Sequence, residues 1–201
     1  MQKTLKYYQF IAPANLALQG LPITKENIEL EAKRLQEKDL GILEYDAIIY
    51  CSDSNINLDK MNSELDIKKL KIVCNGSIKP SLKTSNMPLP NLEKLVAPCV
   101  DLYVDSYNEK LGYDKIKHID VNSLSSSYGN GIVGADLKAL ETLIIRSEYL
   151  IAGLYGFLHN SPITSGNGYV YVNDSLLELY KIHYSDTPSI YGAIKPISEI
   201  E

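Results

Sequence analysis

Ile67-Lys68-Lys69-Leu70-Lys71-Ile72, Leu92-Glu93-Lys94-Leu95-Val96-Ala97, Ile116-Lys117-His118-Ile119-Asp120-Val121 and Leu140-Glu141-Thr142-Leu143-Ile144-Ile145 are copies of one pattern, apolar at the first, fourth and sixth places. They begin 25, 24 and 24 residues apart, and a looser copy, Tyr45-Ile48-Tyr50, starts 22 residues before the first. A fixed period of this size marks a stack of supersecondary units, each burying its apolar face against its neighbours. Within each copy the side chains alternate faces as a strand requires.

The spacing is that of leucine-rich repeats, and the fold expected is α+β: a short solenoid of about five parallel-strand rungs, with an N-terminal helical cap or module and a C-terminal strand-helix cap. Residues 1–44 form the N-terminal segment, 45–150 the repeats and 151–201 the C-terminal cap. In this alignment the inward columns are Ile48/Tyr50/Ser52, Leu70/Ile72/Cys74, Leu95/Ala97/Cys99, Ile119/Val121/Ser123 and Leu143/Ile145/Ser147. The last place of each set holds only serine or cysteine, as a turn with room for a small side chain demands. The outward places are Ile49/Cys51, Lys71/Val73, Val96/Pro98, Asp120/Asn122 and Ile144/Arg146. Of these, Ile49, Lys71, Val73, Val96, Asp120, Asn122, Ile144 and Arg146 make a candidate binding surface, more apolar than a solvated face needs to be. The same places also suit a surface over which the N-terminal segment folds back. Between strands, residues 76–91 and 123–131 are rich in Gly, Pro, Ser and Asn and read as irregular returns.

Composition narrows the function. The chain has 201 residues, 45% apolar, enough for a substantial core. With 20 basic and 25 acidic residues the net charge is −5, and the basic residues are scattered, which argues against a nucleic-acid partner. No run approaches the ~18 apolar residues of a membrane span. Lys3 and Lys6 are followed by Tyr7, Tyr8, Gln9 and Pro13, which interrupt the apolar core of a secretory signal, so any passage out of a cell is expected to use another route. Cys51, Cys74 and Cys99 fit neither a zinc spacing nor a disulfide framework and read as unbridged thiols, with Cys51, on the outward face, the most reactive.

Catalytic patterns are thin. Gly129-x-Gly131-x-x-Gly134 matches a dinucleotide fingerprint, but a serine-rich stretch separates it from the preceding strand. The following segment enters the Leu140 copy within a few residues, and the place for an acidic ribose ligand holds Leu154. His118, His159 and His183 have no second ligand at metal spacing, and no nucleophile elbow is present. The expectation is a protein without catalytic residues, cofactor or metal.

The two ends differ from the repeats. Thr24 caps a helix expected over 25–38, with Glu26, Glu29 and Glu31 early and Arg34 and Lys38 late, in the order favoured by the helix dipole. Ile28, Ala32 and Leu35 supply its apolar stripe. This helix either caps the first rung or, with residues 5–23, anchors the protein to another. At the other end come Asn160-Ser161-Pro162-Ile163, then Gly166-Asn167-Gly168-Tyr169-Val170-Tyr171-Val172-Asn173-Asp174-Ser175-Leu176, then Tyr180-Lys181, Tyr191 and Ile194-Lys195-Pro196-Ile197-Ser198-Glu199. Physically this block is a final strand 168–172 with Tyr169 and Tyr171 on one face, a helix begun by Asp174, and an extended tail.

The block closely resembles the terminal block of BspA-type leucine-rich-repeat proteins of bacteria and their phages. The likeness covers about residues 137–201 well, the repeats back to 45 more loosely, and residues 1–44 not at all. Asn173 stands where that family usually has proline, and the family's tryptophan near residues 184–189 is missing. The resemblance implies a non-catalytic binding or adhesion protein. With the small size and the unmatched N-terminal segment, it points to a phage virion component, tail- or capsid-associated, that attaches to a host or stabilises the particle. The alternatives are an adhesion protein on the bacterial cell surface and an interaction module in the cytoplasm, with a nucleotide-binding enzyme using the Gly129 loop a distant third. The expected partners are virion or surface proteins or a cell-surface glycan, since the fifteen tyrosines suit either. A homo-oligomer is compatible with all of these.

Overall fold

The computed structural model describes residues 12–13, 15–17, 19–38, 45–51, 55–56, 58, 67–74, 79–83, 89–104, 113–126 and 137–201. The architecture is α+β around an open parallel sheet. Its strands are β1 (Ala47–Cys51), β2 (Asn55–Ile56), β3 (Lys69–Cys74), β4 (Ser81–Lys83), β5 (Lys94–Val104), β6 (His118–Ser126), β7 (Thr142–Ile145), β8 (Tyr169–Val172) and β9 (Ile194–Pro196). The order is β1-β3-β5-β6-β7-β8-β9, while β2 pairs with β4 and β4 with the second half of β5.

One inward row crosses the whole sheet in register: Ala47, Leu70, Leu95, Ile119, Leu143, Val170 and Ile194. All are at least 98% buried and belong to one core. The leading residues Ile67, Leu92, Ile116 and Leu140 enter the same core, so each apolar place of the repeated pattern points inward. Burying an aliphatic side chain contributes about 1.5–3 kcal/mol, which makes this row a main source of stability.

The register of β1 departs from the expected alignment. Leu70 pairs with Ala47 and Ile72 with Ile49, so Ala47, Ile49 and Cys51 face the core and Ile48 faces out. A one-residue slip exchanges the faces of every side chain in a strand. Ile49 therefore leaves the candidate surface, and the Cys51 thiol is buried rather than exposed.

The cysteines are a second correction. Cys74 and Cys99 form a disulfide that closes a 25-residue separation. By the chain-entropy argument such a bond stabilises a fold by about 3 kcal/mol.

The returns are less irregular than their composition implies. Ile56, Leu82, Leu102 and Leu124 form a second buried row in register on β2, β4, β5 and β6, so Ser81–Lys83 and Ser123–Ser126 are strand. A single leucine between polar neighbours in each segment anchors that row. Where β5 turns from one row to the other, Pro98, Cys99 and Val100 stand opposite Asn122 alone. Such a bulge tolerates the proline and bends the strand.

Helix α1 (Lys25–Lys38) has the expected limits, and the Thr24 hydroxyl accepts from Asn27 N at 3.1 Å. Its stripe packs on the outward face of the sheet, beginning at the edge strand β1. Ala32 and Leu35, with Ala12, Tyr45 and Ile48, form a second apolar cluster against which Ile28, Val73 and Val96 pack. At the other end, α2 (Leu154–Leu158), α3 (Leu177–His183) and α4 (Pro188–Tyr191) close the main core with Phe157, Tyr180, Tyr184 and Ile190. A 3-10 turn, Asp174–Leu176, leads into α3; its N-cap is Asn173, whose side chain accepts from Ser175 N, while Asp174 accepts from Ser198 N at 3.1 Å. Residues 168–172 are not the last strand, because Ile194–Pro196 adds β9 in parallel beyond them. Residues 127–136, and with them the Gly129 motif, lie outside the described residues, as do residues 1–11, which carry the signal-peptide reading apart from Pro13.

Candidate binding face

The outward side of the sheet carries two rows in register. Lys69, Lys94, His118, Thr142 and Tyr169 form one. Ile48, Lys71, Val96, Asp120, Ile144, Tyr171 and Lys195 form the other. The N-terminal part of this face is covered by the chain itself. Val73 and Val96 pack beneath the α1 cluster, and the ammonium groups of Lys71 and Lys94 stand 5.3 and 5.4 Å from the centre of the Tyr45 ring. Such cation–π contacts contribute about 0.5–1 kcal/mol each at the surface. The Asp46 carboxylate accepts from the backbone N–H groups of Lys68 and Lys69, both at 2.9 Å, fixing the approach of β3 to β1.

The centre of the face is a charge network. Arg146 donates through Nε and Nη2 to the two carboxylate oxygens of Asp120, at 2.8 and 3.0 Å, and through Nη1 to Glu201 at 2.6 Å. The bidentate bond to Asp120, helped by Glu201, raises the guanidinium pKa above its ordinary value against the opposing effect of burial. Two carboxylates against one guanidinium make this a poor pole for an anionic ligand. Asn122 donates to Asp101 Oδ1 at 2.6 Å, as does Ser123, so its amide is engaged at the bend of β5. Ile144 is 5% exposed, between Asp120 and Tyr171 in register.

The open part lies toward β8 and β9. Tyr169 is 42% exposed, its ring 6.1 Å from that of Tyr171, and the Lys195 ammonium sits 4.4 Å from the Tyr169 centre while bonding Glu199 at 2.9 Å. Beside it Arg146, Asn173, Asp174, Ile197, Ser198 and Glu201 line a shallow pocket of about 280 Å³. Hydrogen bonds from Ser198 hold the Asp174 carboxyl below the usual carboxylate range.

Of the eight residues proposed from sequence, Ile49 is in the core, Val73 and Val96 lie under the N-terminal cover, and Lys71 contacts Tyr45. Asp120, Asn122 and Ile144 are buried, and Arg146, partly exposed, reaches the open part. Tyr169, Tyr171 and Lys195 were missed as members of the rows. The signal was present in the Tyr-Val-Tyr-Val alternation, which continues both rows by one strand.

His118 opens β6 beside Lys94 and Thr142. Burial lowers its pKa, Lys94 lowers it further and Asp120 partly offsets this. A depressed folded pKa adds stability above the unfolded value of about 6.5 and loses it as pH falls through the folded value. His118→Gln is accordingly expected to weaken the fall in stability between pH 7.5 and 5, read from urea midpoints at each pH; an unchanged fall would refute the assignment.

Among the described residues, no group of three or more His, Cys, Asp and Glu side chains is placed to hold a metal ion, and no helix is long and apolar enough to cross a membrane. Comparison with family models, with curated proteins and with solved structures returned no match.

Proposed function

We propose that the protein is a non-catalytic binding protein, built as a short leucine-rich-repeat solenoid and carried as a phage virion component. The observation behind the binding reading is the division of the outward face: the chain covers it over β1, β3 and β5, and toward β8 and β9 leaves Tyr169 exposed with Tyr171, Lys195 and Arg146 partly exposed beside it. Tyrosines with one apolar face and one hydroxyl, next to charged groups, suit a protein surface or a glycan. The parallel strands β3, β5, β6 and β7, whose register partners along the repeated pattern lie 24 to 25 residues apart, support the solenoid. The C-terminal block, with its likeness to BspA-type proteins, supports the virion.

The Cys74–Cys99 disulfide favours a site outside the reducing cytoplasm, which a virion and a bacterial cell surface share. A cell-surface adhesion protein is therefore the second reading. Mass spectrometry of purified particles from the phage encoding the chain is expected to find it at stoichiometric levels; absence from them sinks the virion assignment. The binding face has a separate test. Tyr169→Ala combined with Lys195→Ala is expected to cut retention on particles or host cells at least tenfold with an unchanged thermal midpoint. Unchanged retention would place the contact elsewhere.

A further inference from the structure

Cys51, Cys74 and Cys99 form a column across three adjacent strands. Cys51 is the register partner of Cys74 between β1 and β3, and Cys74 is bonded to Cys99 of β5 with their Cα atoms 6.1 Å apart. All three side chains face the main core, Cys51 within it at 8% exposure and the other two packed against it. Parallel neighbours stand about 4.8 Å apart, inside the ~4.4–6.8 Å Cα range in which a disulfide forms. Cys74 is thus placed to bond either neighbour, and it can bond only one at a time.

We infer that the disulfide moves along this column, so that the protein has two covalent states. In the forward step Cys51, having given its proton to water, attacks Cys74 Sγ as a thiolate. The Cys51–Cys74 bond forms, the Cys74–Cys99 bond breaks, and Cys99 leaves as a thiolate that takes up a proton. One disulfide and one thiol stand on each side, so neither oxidant nor reductant is consumed. The column runs along the sheet's hydrogen-bonding direction, so Cys51 and Cys99 stand on opposite sides of Cys74. In the first state the bond ties β3 to β5. In the second it ties the edge strand β1 to β3 and leaves the thiol on Cys99, beside the Pro98 bulge and partly exposed. Exchange therefore moves the thiol from a buried position to a partly exposed one, and pins the strand beneath α1.

Single variants of the full chain, oxidised with glutathione disulfide, acid-quenched, unfolded, alkylated with N-ethylmaleimide and mapped by mass spectrometry, test this directly. Cys99→Ser is expected to form Cys51–Cys74 as completely as Cys51→Ser forms Cys74–Cys99. Cys74→Ser is expected to form no internal bond, because Cys51 and Cys99 are two strand spacings apart, beyond the ~7 Å limit. The native chain, held at pH 8.5 before quenching, is expected to yield both linkage isomers. If Cys99→Ser stays a dithiol where Cys51→Ser oxidises fully, or Cys51 and Cys99 bond as readily without Cys74, the column is wrong. A native chain that yields Cys74–Cys99 alone overturns the exchange even if a variant fails to fold.

Discussion

Tyr180→Ala is expected to lower stability by about 4 kcal/mol, and Tyr180→Phe by about 1–2 kcal/mol. Tyr180 is fully buried on α3, and its hydroxyl accepts from Ile151 N at 2.9 Å. Its ring lies nearly parallel to that of Tyr184 at 6.4 Å. The Tyr184 hydroxyl accepts from Leu154 N and donates to Ile151 O, both at 3.0 Å. The two phenols thus satisfy the backbone of residues 151–154, which turns from the sheet into α2. Alanine removes the ring and leaves a cavity, whereas phenylalanine keeps the packing and strands one N–H.

The same tyrosine sets an alkaline limit. Burial pushes its phenol up to about 12, against the opposing bond from Ile151. A raised folded pKa gives stability that is complete below the unfolded value of about 10 and is lost as pH rises through 12. Tyr180→Phe is expected to flatten that part of the profile. Urea titrations give the stabilities; a Tyr180→Ala protein within about 1 kcal/mol of the native one would show that the C-terminal cap tolerates the void.

Gly168→Ala is expected to cost about 3 kcal/mol through overpacking at the entry to β8. A Cβ there would stand 2.3 Å from Glu141 O and 2.9 Å from both Glu141 C and Ile163 Cγ1. Two of those atoms are backbone, and Glu141 O also accepts from Tyr169 N at 2.9 Å, so relief requires moving β8 away from β7. Gly166 is the control. Its φ of +83° disfavours alanine, but nothing lies within 4 Å of the added carbon, so Gly166→Ala is expected to cost about 1–2 kcal/mol. Thermal melts of the pair separate contact from backbone preference. Equal losses would show that β8 can shift and that the contact is not decisive.

The legible parts of the fold are those where one face differs from the other. Leu70/Ile72, Leu95/Ala97, Ile119/Val121 and Leu143/Ile145 were placed inward from alternation and period, because polar residues such as Lys71 and Asp120 mark the opposite face. Helix 25–38 was legible because Thr24, the charge order and the Ile28-Ala32-Leu35 stripe agree. The candidate face was half legible. Its rows were located, but their burial was not, since a covered outward side chain and an exposed one have the same spacing.

The repeated pattern by itself determined the parallel strand order and the inward row from Leu70 to Leu143, because period and alternation are local properties of the chain. Tertiary structure alone decided the register of β1, where Ala47-Ile48-Ile49-Tyr50-Cys51 is apolar throughout and a slip by one residue leaves the pattern equally good. It also decided the cover of α1 over Val73 and Val96, the bond between Cys74 and Cys99, and the addition of β9. Each of these joins segments distant in sequence, and such pairings depend on which buried surfaces meet in the folded chain.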